Sequence, residues 1–125
     1  PRVRSSMTAT PRTYAVTGAA SGIGKATTAM LESIGHRVIG ANSGRHALDI
    51  LRSEQPIDLM VTDHMMPGMT GLELVAASRE VRPSLPVLLA TDYAELPEGT
   101  QLDLPRLAKP YHQDQLRDQV DQLLA

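Results

Sequence analysis

Apolar runs and polar breaks alternate along this chain. Residues 13–18 (TYAVTG) form a short apolar run closed by glycine and read as a buried strand. Residues 22–35 (GIGKATTAMLESIG) then carry helical spacing. Ile23, Thr27, Met30, Leu31 and Ile34 fall on one face, and Gly35 supplies the stop. A second strand is predicted over 36–42 (HRVIGAN). Ser43 can cap a helix over 44–54 (GRHALDILRSE), with Ala47, Leu48, Ile50 and Leu51 inward and Pro56 breaking it. A third strand over 57–63 (IDLMVTD) runs into the loop 65–71 (MMPGMTG). The next helix spans 72–83 (LELVAASREVRP) and ends at Pro83, and a fourth strand spans 85–92 (LPVLLATD). Residues 93–104 are irregular and weakly helical. The segment 105–110 (PRLAKP) holds a short fifth strand. A last helix over 112–125 puts Leu116, Val120, Leu123 and Leu124 on one side.

Strand and helix thus alternate five times, which predicts an α/β domain: a parallel sheet with helices on both faces. The strands read as continuous apolar runs, as burial on two faces requires. Residues 1–12 (PRVRSSMTATPR) are polar and aperiodic, with three arginines and no acid, and read as a tail or expression remnant outside a single domain over 13–125.

Composition narrows the function classes. A chain of 125 residues fits one domain and can bury roughly two-thirds of its surface without a staple. The absence of cysteine excludes a disulfide scaffold, a zinc-thiolate site and thiol catalysis. No run approaches the roughly 18 apolar residues of a membrane helix. No signal-peptide pattern is present. The net charge of −2 gives no push toward nucleic acid, and Tyr14, Tyr93 and Tyr111 are too few for base stacking. The expectation is a cytoplasmic protein without nucleic-acid or membrane partners. His36, His46, His64 and His112 lack zinc-ligand pairing and read as surface or satisfied side chains. Met60, Met65, Met66 and Met69 read as a core strand and a packed loop.

Ligands of such sheets bind at the carboxyl ends of the strands, where strand order reverses. The third strand closes on Asp63, a carboxylate able to bind a metal, accept a phosphoryl group or act as a base. The fourth closes on Thr91 and the fifth on Lys109, followed by Pro110. A lone Asp before a turn is more often a turn former. Carboxylate, hydroxyl and ammonium on three successive strand ends make one site.

These residues resemble a known family. The stretches DLMVTDHMMPGMTGLEL, LPVLLATDYAEL and LPRLAKPYHQDQL look like a response-regulator receiver domain of two-component signalling, over roughly three-quarters of the chain. The resemblance implies a flavodoxin-like (CheY-like) five-stranded parallel sheet of order 2-1-3-4-5. It implies Asp63 as phosphoacceptor, Thr91 as the switch hydroxyl, Lys109 as the lysine beside the phosphoryl group and Tyr111 as the aromatic switch. It also implies a histidine kinase or phosphotransfer protein as partner, and Mg²⁺ as cofactor. Receivers end their first strand with acidic residues that hold this metal. Here Gly18 and Ala19 stand at those positions, and no acid precedes Glu32. Asp63 is then the expected metal carboxylate, with Asp92 a weak replacement ligand or a solvated loop acid, and the Mg²⁺ site is expected to be impaired.

The departing segment has a resemblance of its own. TYAVTGAASGIGKATT, within residues 13–28, looks like the opening of a short-chain dehydrogenase/reductase, with T-G-x-x-x-G-I-G at Thr17, Gly18, Gly22, Ile23 and Gly24. Gly18 permits the tight turn, Gly22 lets the backbone approach a diphosphate, and Gly24 lets the helix sit close to the strand. Ser21 lies in the same loop. Asn42 falls near the position where an acid would bind the ribose hydroxyls, and Arg45 could meet a 2′-phosphate, so NADP would be favoured over NAD. The catalytic Tyr-x-x-x-Lys of that family is absent: Gly18, Pro97 and Gln115 stand four residues after the three tyrosines. A complete hydride-transfer enzyme is rejected. A diphosphate on this loop would also face Asp63, and two like charges about 6 Å apart at an effective dielectric near 20 cost on the order of 3 kcal/mol. The simplest account is a recombined or engineered chimera: a receiver whose first strand and helix start were replaced by a dehydrogenase glycine loop.

Overall fold

The computed structural model describes residues 12–18, 22–91, 106–108 and 113–124. In chain order the elements are β1 (Thr13–Thr17), α1 (Gly22–Ser33), β2 (Arg37–Ala41), α2 (Gly44–Arg52), β3 (Leu59–Asp63), α3 (Gly71–Val81), β4 (Val87–Thr91), β5 (Arg106–Ala108) and α4 (Gln113–Leu124). The strands make one sheet in the order β2-β1-β3-β4-β5, and every neighbouring pair is parallel. This is the doubly wound order expected for a flavodoxin-like domain.

Alternation along the strands divides the core in two. Tyr14, Val16, Leu59, Val61 and Leu88 face one way and bury Met30 and Leu31 of α1 with Leu116 and Val120 of α4. Ala15, Met60 and Val87 face the other way, onto Ala47, Leu48 and Leu51 of α2 and Leu74 and Val75 of α3. Helices therefore cover both faces of the sheet. Burying one such leucine or valine stabilises the fold by roughly 1.5–3 kcal/mol, which makes these two layers the main cohesive force.

Local chemistry sets the helix starts. The Ser43 hydroxyl accepts the His46 N–H at 3.0 Å and caps α2. At α3 the Thr70 hydroxyl accepts from Glu73 N, and the Glu73 carboxylate accepts from Thr70 N at 2.9 Å, a complete capping box. These bonds hold the Glu73 carboxyl below its ordinary value. Arg82 closes the far end of α2. Its guanidinium donates to the carbonyls of Leu51, Ser53 and Gln55 at 2.9, 3.0 and 2.7 Å.

Two readings of the pattern are corrected. Ile34 was expected inward with Met30 and Leu31, but it is 38% exposed. The helix ends at Ser33, and the turn into Gly35, at φ +95°, takes Ile34 off the helical face. The second strand was expected to be buried on both faces. It lies at the sheet edge, and Arg37 and Gly40 are exposed. Arg12, assigned to the tail by its sequence, is bonded to the domain. Its carbonyl accepts from Arg37 N, and its N–H donates to His36 Nδ1 at 3.1 Å. Residues 1–11 and the irregular stretch 93–104 lie outside the described residues.

Two predictions follow from these contacts. A Cβ on Gly24 would collide with the Gly18 carbonyl, which is backbone and cannot step aside. Gly24→Ala is therefore expected to cost about 3 kcal/mol in urea unfolding, and an unchanged midpoint would refute the close packing of α1 on β1. The second concerns pH. The His36 ring packs edge-on against Tyr14 at 5.0 Å and accepts the Arg12 N–H. Burial first, then the Arg12 charge, lowers its pKa from the ordinary 6.5. Above that value both folded and unfolded chains hold a neutral ring. Below it the unfolded chain takes the proton first, so stability falls with pH until the folded value is passed. His36→Asn, which keeps an acceptor but does not titrate, is expected to show a smaller loss of unfolding free energy between about pH 7.5 and about pH 5 than the parent.

Candidate functional site

The carboxyl edge of the sheet collects the strand-end residues. Register places Thr17 beside Ala41, Asp63 beside Ala90 and Thr91 beside Ala108. Asp63 is partly buried at the end of β3, and Thr91 is fully buried on the neighbouring strand. The topology brings these two to one end of the sheet, as expected. Lys109, which follows Ala108, lies outside the described residues, as do Asp92, Tyr111, Ala19 and Ser21.

Beside Asp63, at the end of β1, is Gly18. Its backbone is left-handed at φ +67°, and its N–H donates to the Ala41 carbonyl at 2.9 Å. A Cβ built there would stand 3.5 Å from Asp63 Oδ2. The position facing the Asp63 carboxylate therefore carries no side chain. Among the described residues no group of three or more His, Cys, Asp or Glu could hold a metal ion. Mg²⁺ keeps near-octahedral oxygen coordination and is usually held by one or two carboxylates. Among the described residues, Asp63 is a carboxylate of the kind such a metal takes, and the position facing it is a glycine rather than a second acid.

Beneath the carboxylate is a set of bonds that the sequence reading missed. Asp63 N donates to Thr17 Oγ1 at 3.1 Å, Thr17 Oγ1 bonds Thr62 Oγ1 at 3.0 Å, and Thr62 Oγ1 donates to the Asp63 carbonyl at 3.0 Å. Thr62 Oγ1 also lies 3.8 Å from Met66 Sδ. The signal available in the sequence was a threonine next to the end of each of two otherwise apolar strands.

The loop after Asp63 is tied down at Gly71. Its N–H donates to the His64 carbonyl at 2.8 Å, and a Cβ there would strike the Asp63 carbonyl and the His64 backbone. Met66 and Met69 pack into the core on the α2–α3 side. Met65 does not: it is 61% exposed, contrary to the packed loop expected. His64 also departs from its reading as a surface or satisfied side chain. It is 4% exposed, and among the described residues its Nδ1 has no hydrogen-bond partner.

Two glycines of the first turn, Gly18 and Gly24, adopt the shapes expected of them. Gly18 makes the tight turn, and Gly24 lies against its carbonyl. Gly22 and Ile23 begin α1. Asn42 follows β2 and Arg45 lies in the first turn of α2, both exposed, and the Asn42 side chain is engaged by His46 Nδ1 at 3.1 Å. Strand order thus brings the glycine turn, Asn42 and Asp63 to one edge of the sheet. The left-handed turn accounts for Gly18, and close helix-on-strand packing for Gly24, without a ligand.

Comparison with known proteins agrees with this geometry. Residues 21–121 match the response regulator receiver domain family. The chain is 33% identical over 98 residues to the response regulator receiver protein CpdR of Brucella abortus, covering 75% of this chain and 81% of that protein. It is 35% identical over 94 residues to sporulation initiation phosphotransferase F of Bacillus subtilis, covering 72% of this chain and 75% of that one. Among solved structures, the chemotaxis response regulator CheY4 of Vibrio cholerae superposes with a TM-score of 0.78 at 26% identity, over 92% of this chain and all of the other. The β3–β4 edge, the sheet order and these matches agree: the chain belongs to the response regulator receiver domain family.

Proposed function

We propose that this chain is a phosphoacceptor signalling domain in which Asp63 takes a phosphoryl group slowly or not at all. The observation that carries this reading is Gly18, whose Cβ position lies 3.5 Å from Asp63 Oδ2 where the family carries acid. Transfer to Asp63 needs a carboxylate oxygen to attack phosphorus while the leaving group departs, and both partners are anionic. Stabilising that charge is most of the catalysis in such reactions. Lys109 is assigned to meet the phosphoryl oxygens, Thr91 to donate its hydroxyl to one of them, and Asp92 to serve as a weak metal ligand. Thr91 stands on the strand beside Asp63, which supports its role. The donor partner is a histidine kinase or phosphotransfer protein. The chain acts as an acceptor rather than as a turnover enzyme.

The chimeric origin belongs to the same reading. The family match begins at residue 21, after β1 and the Gly18 turn, which supports an exchanged first strand. A nucleotide on the glycine turn is the lesser reading, since the Asp63 carboxylate faces the place a phosphate would take. Backbone amide shifts at Gly18, Gly22 and Gly24 on adding NADP⁺, abolished by Gly22→Val, would reverse that order.

Intact mass after incubation with acetyl phosphate and Mg²⁺ tests the main reading. Little or no gain of about 80 Da is expected, with Asp63→Asn as the control. Complete loading of the parent, absent in the control, would refute the impairment. A second measurement asks whether the missing acid is the cause. Asp tolerates the left-handed backbone better than most residues, so Gly18→Asp with Ala19→Asp is expected to tighten Mg²⁺ binding about tenfold or more. An unaltered metal titration would overturn this account.

A further inference from the structure

The β1–β3 ladder pairs Tyr14 with Leu59, Ala15 with Met60 and Val16 with Val61, and stops there. The Asp63 amide lies just past its end. Its N–H is taken by a side chain, the Thr17 hydroxyl, at 3.1 Å. That oxygen accepts the Asp63 proton, so its own hydrogen is directed to Thr62 Oγ1 at 3.0 Å. Thr62 then gives its hydrogen back to the Asp63 carbonyl at 3.0 Å, with Met66 Sδ as the alternative acceptor at 3.8 Å. The bonds close a ring that holds the N–H and the C=O of one residue. Thr17 is 2% and Thr62 1% exposed, so bulk water cannot replace either hydroxyl. Bonds in such a ring polarise one another in one sense.

We infer that Thr17 is a positioning residue for Asp63: with Thr62 it fixes the backbone on which the acceptor carboxylate is mounted. The inference rests on the reading of Asp63 as acceptor. It assigns the last residue of β1 a role in this site that does not depend on an acid in the following turn. Valine keeps the shape of threonine and removes the hydroxyl, and serine keeps the hydroxyl. The pair therefore separates hydrogen bonding from packing.

The test uses the full chain carrying Thr17→Val, Thr17→Ser or Thr62→Val, each also combined with Gly18→Asp and Ala19→Asp. One readout is amide hydrogen exchange at Asp63 relative to Val61, which lies inside the ladder. The other is the rate of phosphate loading from acetyl phosphate with Mg²⁺. Thr17→Val is expected to speed exchange at Asp63 about tenfold without the same change at Val61. It is expected to slow loading about fivefold, the effect of one neutral hydrogen bond. Thr17→Ser restores both, and Thr62→Val repeats the valine pattern, which keeps the test decisive if Thr17→Val fails to fold. Exchange at Asp63 unchanged in the valine variants, or serine behaving as valine, overturns the inference. If no chain loads phosphate, including those with the two added acids, the acceptor reading of Asp63 has failed, and the exchange data decide the role of Thr17 by themselves.

Discussion

Backbone rests directly on backbone at two points along the carboxyl edge of this sheet, and the site is laid out between them. Gly24 brings the first turn of α1 onto the Gly18 carbonyl, and Gly71 brings the start of α3 onto the end of β3 at Asp63 and His64. Any side chain at either glycine would have to displace peptide groups, and at Gly71 the Leu89 side chain as well. Interiors packed to crystal density have no slack for such a shift. The two contacts fix where β1 and β3 end, and hence how near Gly18 lies to Asp63.

That proximity defines the electrostatic character of the site. A carboxylate at a strand end is unremarkable in itself, and its chemistry depends on what faces it. Here the facing position is a left-handed glycine bonded to the edge strand, so position 18 presents no side chain to Asp63. On its other side are β4 and the buried Thr91. Gly18 after β1 and Asp63 at the end of β3 share one edge, because a parallel sheet presents its ligand groups at the carboxyl ends of its strands.

Most of the architecture was legible because it follows from short-range patterns. Apolar runs closed by Gly18, Asp63 and Thr91, and helical spacing at Met30, Leu31, Leu48 and Leu51, became β1, β3, β4 and the inward faces of α1 and α2. Ser43 did become a cap. The failures share a cause. The sequence of β2 looks like that of any buried strand, and only the sheet order makes it an edge. Ile34 has the spacing of a core residue, but the chain leaves the helix one residue earlier. His64 and Met65 are neighbours in one loop, yet one is buried and the other exposed, because the bend into α3 decides which side chain turns inward.

The sequence by itself determined the type and order of the described elements, the family, and the absence of acid from the end of β1. Each depends on residue identity and local spacing. The hydroxyl ring of Thr17, Thr62 and Asp63 was decided by the tertiary structure, as was the exposure of β2 and the burial of the His64 ring. Thr17 and Thr62 are 45 residues apart and meet only because β1 and β3 are adjacent in the sheet. A hydroxyl in an apolar strand demands a partner once it is buried, but its spacing along the chain cannot say which strand will supply one.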